Sequence, residues 1–145
     1  MTFIALEGRV TWLYAQALFE SALAVLEGHR TLVLDLGACE HLDSTVLGTL
    51  HELVLRARLE RTRVVFQRVP ERLVAAFREL SMTTVLDAIG EVSEPLPAEL
   101  ADLDLPVGDL RRHRQRLLRA HQALAELSQH NREAFADLLG TLRNT

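Results

Sequence analysis

There is no lysine in this chain and only one cysteine. All sixteen basic residues are arginines, which are permanent charges with a planar, bidentate fork. The lone Cys39 cannot form an intrachain disulfide and has no cysteine partner for a metal site, so it reads as a small packing residue. No apolar run approaches the ~20 residues that a membrane span needs. The N-terminus lacks the charged stretch and apolar core of a secretion signal. Both absences point to the cytoplasm and against membrane insertion. Also absent are a Gly-x-Ser-x-Gly elbow and a phosphate-cradling glycine loop. The six histidines include no His-x-x-x-His pair, and His113 and His121 lie two helical turns apart. Three or four converging ligands are therefore not in view, and neither a metal nor another cofactor is expected.

What is present suits a globular protein. The chain has 145 residues, 48% hydrophobic and 25% charged, which fits one domain with an appendage. Phe3–Glu7 reads as a strand and Gly8 as a turn. Apolar residues from Trp12 to Leu26 repeat with helical spacing, with Thr11 placed to cap the start and Gly28 to end the helix. Thr31–Leu36 is a near-continuous apolar run, the pattern of a buried strand. A second helix follows to about Glu60, with Val46, Leu47, Leu50, Leu53, Val54 and Ala57 inward. Thr62–Gln67 is a strand, Pro70 opens a helix to about Leu80, and Val85–Ile89 is a short final strand or turn. Strands separated by helices imply crossovers and some parallel pairing.

The most informative stretch is Asp35-Leu36, a loop with His41-Leu42, then Asp43-Ser44-Thr45-Val46-Leu47-Gly48 at the start of the second helix. A short polar side chain there caps free N–H groups, and the same place tolerates a phosphate. The stretch resembles the signature of STAS domains, the fold of bacterial anti-anti-sigma factors. Val46 stands where that family usually has glycine. Gly8-Arg9-Val10-Thr11 and Val69–Met82 resemble further family segments, so the likeness covers roughly residues 3–90. It implies an α/β fold, a STAS-like mixed sheet of about four strands with helices packed on it. It also implies a non-enzymatic signalling module that docks an anti-sigma factor or serine kinase-like protein through Asp43, Ser44, Thr45, Val46, Leu47 and Gly48. Ser44, with Thr45 second, is then the phosphorylation site. The alternative is a structural STAS subunit or scaffold of a stress-signalling, transporter or lipid-transport complex, assembled through the C-terminal helix and never phosphorylated. The family's usual extra N-terminal strand has no room before Phe3, so one sheet edge is expected to be open or covered by another segment. No histidine is placed by sequence to act as a base for Ser44, so no catalytic nucleophile is expected.

Residues 1–90 are thus the expected domain, and 91–109 a linker. The linker carries six acidic residues, no arginine and three prolines. From 110 to 145 the balance reverses to seven arginines against three acids. Asp109 or Gly108 can start one long amphipathic helix there. Leu110, Leu117, Leu124, Asn131 and Leu138 are seven apart, with Leu127 on the same side, like a coiled-coil seam with a register-fixing Asn. The stripe is wider than a strict seam. Packing on the chain's own core and pairing with a second copy both fit it, and a homodimer is the expected assembly. Arg111, Arg112, Arg114, Arg116 and Arg119 read as a solvated face or as carboxylate contacts, not as a nucleic-acid surface, because the chain is net −4 and no aromatic is interleaved.

Overall fold

The computed structural model describes residues 1–102 and 109–144. Among the described residues, five strands and six helices run in the order β1 (Thr2–Ala5), β2 (Gly8–Val10), α1 (Trp12–Glu27), β3 (Leu32–Asp35), β4 (Cys39–Leu42), α2 (Ser44–Leu59), β5 (Val64–Gln67), α3 (Glu71–Glu79), α4 (Thr83–Asp87), α5 (Leu110–Ala125) and α6 (Gln129–Arg143). The α/β architecture is the one expected, with every pairing parallel. A three-stranded sheet has the order β1–β3–β5, with Thr2 opposite Leu32 and Leu32 opposite Val64. β2 and β4 form a separate pair. β3 lies in the middle of the larger sheet with all four residues buried; its apolar Leu32–Leu34 run suits burial on both faces, and the fourth residue, Asp35, is paired with Arg68.

Three local expectations change. Gly8 does not close a turn; its left-handed backbone (φ 65°) lets the chain leave β1 and start β2 at once. β2 and β4 are too short to show an alternating pattern in the sequence. Residues 85–89 are mostly helix α4, and only Ile89 bridges to Phe66. α1 ends with His29, not Gly28, in the left-handed conformation (φ 57°).

The core is one cluster. Leu18, Ala22 and Leu26 of α1 and Val46, Leu50 and Leu53 of α2 pack with Leu32, Leu34, Phe66 and Phe77. β1 is an edge strand. Phe3 of β1, with Leu6 and Tyr14 near it, shares a cleft with linker residues Ala98, Leu100 and Asp102.

The C-terminal segment is two helices and not one. At the break Ser128 is extended (φ −162°, ψ 161°), and its hydroxyl accepts from Asn131 N. Asn131 Nδ2 donates to the Leu124 carbonyl at 2.9 Å, which also accepts from Leu127 N at 3.1 Å, so the last turn of α5 is tied to the first turn of α6. A second helix start is therefore built into Ser128 and Asn131. The hairpin folds back on the domain, with α5 against α2 and α1. The heptad seam is divided accordingly. Leu124 and Asn131 are buried within the chain, Leu117, Leu127 and Leu138 are half-buried, and Leu110 stays 75% exposed. Pairing of copies through this seam would therefore require the hairpin to leave its own domain.

Candidate functional site

Asp43 is the N-cap of α2. Its Oδ1 accepts from Val46 N at 2.9 Å, and its Oδ2 accepts from Trp12 N at 2.6 Å. One carboxylate thus closes two helix starts, and the Thr11 side chain, expected to cap α1, makes no cap bond. Ser44 is the first residue of α2. Asp35 fixes the strand that leads toward it. Its carboxylate accepts from Gly37 N, Gln67 Nε2 and the Arg68 fork at 2.7–3.1 Å. Burial alone would raise the Asp35 pKa, but Arg68, the Gly37 N–H and Gln67 together hold it below its ordinary value.

The Ser44 hydroxyl is 2.8 Å from Nε2 of His121 on α5. His121 Nδ1 faces the Leu117 carbonyl at 2.7 Å. A carbonyl only accepts, so Nδ1 carries the ring proton, and Nε2 accepts from the Ser44 O–H. This tautomer is assigned from the partners. The ring is 1% exposed and packs edge-on against Phe135 of α6. Burial lowers the His121 pKa, although the Leu117 carbonyl and the Asp43 charge pull the other way.

One turn further on, Gly48 lies against the backbone of Ala120; a methyl group on it would stand 2.2 Å from the Ala120 carbonyl oxygen. On the same side Arg116 is buried, paired with Glu52, and its guanidinium lies 4.1 Å above the Phe19 ring. Burial raises the Glu52 pKa against the pull of Arg116, Arg119 and Arg56. Arg112 reaches Glu20 at 3.1 Å. Two of the five clustered arginines are therefore carboxylate contacts, while Arg111, Arg114 and Arg119 face solvent. On α6, Asn131 Nδ2 also donates to the Leu80 carbonyl at 2.7 Å, tying the hairpin to the end of α3.

The structure places the motif residues and corrects one expectation about them. Ser44 and Asp43 are half-buried, and Thr45, Val46, Leu47 and Gly48 are buried. A histidine does reach Ser44, from 77 residues away. The Ser–His pair has the parts of a nucleophile and base, but it lies beneath α5, and neither residue lines the clefts beside α2, at β5 or along β1. The contact ties α5 to the start of α2. The sequence offered Arg116 as a carboxylate contact without naming Glu52, and weighed His121 only as a metal ligand, not as the partner of Ser44. The one signal for either pairing was position, since polar residues at the edge of an apolar stripe gain partners only if the helix folds back.

The family model described as "Mlab, STAS domain" matches residues 2–88, more than half of the chain. No curated protein matches. Among solved structures the chain is similar to one titled "Crystal Structure Analysis of Mglu", with 28% identity and a TM-score of 0.43. That likeness covers 48% of this chain and 17% of the other. The chain belongs to the STAS domain family, and its matched region ends before α5.

Proposed function

We propose that this STAS chain is a non-enzymatic signalling module of the anti-sigma antagonist kind. Its docking surface is the start of α2 around Asp43, Ser44 and Gly48, and its partner is an anti-sigma factor or serine kinase-like protein. The observation that carries this reading is the place of Ser44. It is the first residue of α2, beside the Asp43 cap, at the rim of a face shaped to receive a helix. A phosphoryl group there adds about −2 charge, which the helix N-terminus favours and Asp43 opposes. It also removes the O–H that His121 accepts. Phosphorylation is thus the event that changes what this face can hold.

One observation favours a second reading, a structural STAS subunit of a larger assembly whose serine is never modified. Thr45 to Gly48 are buried, Val46 and Leu47 in the domain core and Gly48 against α5, and Ser44 only half emerges. Binding assays with the partner separate the two. In the signalling reading Ser44→Ala binds constitutively and Ser44→Asp loses binding. Equal binding by both variants rejects a phosphorylation switch and leaves the structural subunit.

A further inference from the structure

We propose that the α5–α6 hairpin is a removable cover, and that the α2 face beneath it receives an amphipathic helix of a partner protein built on the same plan as α5. The inference rests on reading that face as the docking surface.

The first support is the character of the covered contact. The buried side-chain polar atoms that lack a hydrogen-bond partner among the described residues are His113 Nδ1, Arg116 Nε and Asn131 Oδ1, and all three belong to the hairpin. The domain's own core has no such atom among the described residues. Permanent cores satisfy their buried polar groups, whereas separable faces are more polar. The hairpin also lies outside the region matched by the family, beyond an acidic, proline-containing linker.

The second support is the shape of the face. Gly48 is a notch that admits only a backbone with a small residue at the crossing, here Ala120. Glu52 and the Phe19 ring form a seat for a guanidinium, here Arg116. Ser44 offers a hydroxyl, here taken by His121. Arg116 and Ala120 are four residues apart and so share one helix face. A competing helix therefore needs an arginine, then a small residue four positions later, with a hydrogen-bond acceptor beside it. Tethering keeps the hairpin at an effective concentration in the millimolar range. A partner's apparent affinity is reduced by the fraction of chains that are closed.

The test uses the full chain with Ala120→Leu, which overfills the crossing from the hairpin side and leaves the domain face unchanged. Arg116→Glu, which opposes Glu52, is the second variant. Hydrogen exchange of residues 110–143 should rise at least 10-fold, while β3 and β5 keep wild-type protection. A labelled synthetic peptide of residues 109–144 should then bind the variant chains and not the wild type, and the same peptide carrying Arg116→Glu should fail to bind. Equal loss of protection in β3 and β5 in both variants would make the hairpin part of one cooperative core and overturn the proposal. So would unchanged exchange in α5, failure of the wild-type peptide to bind, or a dimer held by exchanged hairpins. None of these readouts uses the signalling partner. A positive peptide result alongside equal partner binding by Ser44→Ala and Ser44→Asp would reject the phosphorylation switch and leave the cover standing.

Discussion

Gly48 on α2 and Ala120 on α5 meet backbone to backbone, with the Ala120 carbonyl oxygen 2.2 Å from the position that a Gly48 methyl group would take. Neither backbone can yield as a flexible side chain could, so the contact requires glycine. Gly48→Ala should destabilise the folded chain by about 1–3 kcal/mol as the helices are forced apart. The gain in helix propensity, about 1 kcal/mol, offsets part of this. Urea unfolding of the variant measures the net loss; a variant more stable than wild type would show that α5 does not approach so closely.

Val46 is fully buried in the core cluster, within the first turn of α2. Helix propensity alone would put Val46→Gly at about 0.5–1 kcal/mol. The lost side chain and the space it leaves raise the expected cost to about 2–4 kcal/mol. Thermal unfolding distinguishes the two values, and a cost below about 1 kcal/mol would place Val46 at the surface.

Acid should loosen the hairpin first. His121 and His51 are both buried, and burial lowers both pKa values below the ordinary 6.5. The unfolded chain therefore binds more protons than the folded one once pH drops below about 6.5. The stability from each neutral ring is complete above that pH and is lost as pH falls toward the folded value. His51 bonds Thr84 Oγ1 on α4, whereas His121 holds α5. His121→Gln should flatten the part of the pH profile that is read from hairpin exchange. A variant with the wild-type slope would assign that slope to other groups.

Asp35 should behave in the opposite sense. Its folded pKa lies below the ordinary 3.8, so its stabilisation is present above that value and fades as pH falls through the folded pKa. Asp35→Asn keeps an acceptor but loses the charge that meets the Arg68 fork. A cost of about 1–3 kcal/mol is expected near neutral pH. Urea unfolding at several pH values should show wild type and variant converging below pH 3.8. Curves that stay parallel would mean that the charge of Asp35 contributes nothing.

Much of the domain was legible because its signals are local. A near-continuous apolar run marks a strand covered on both faces, and β3 is one. A short polar residue before a helical repeat marks a cap, and Asp43 is one. The start of α6 was equally local, in Ser128 and Asn131, yet the heptad count ran across it. Asn131 read as a register-fixing residue between copies, but it bonds the Leu80 and Leu124 carbonyls of its own chain. Short β2 and β4 left no periodicity to read.

By itself the sequence determined that α2 begins at Asp43-Ser44 and that residues 110–143 must bury an apolar stripe. Both follow from chemistry within one turn or one helix face. It did not determine against what the stripe is buried, because an amphipathic pattern states the cost of exposure and not the identity of the cover. The tertiary structure decided that. It brought His121 to Ser44 and Arg116 to Glu52 across 77 and 64 residues. Such contacts depend on where the chain returns, through the glycine notch at position 48, and no spacing along the sequence records that return.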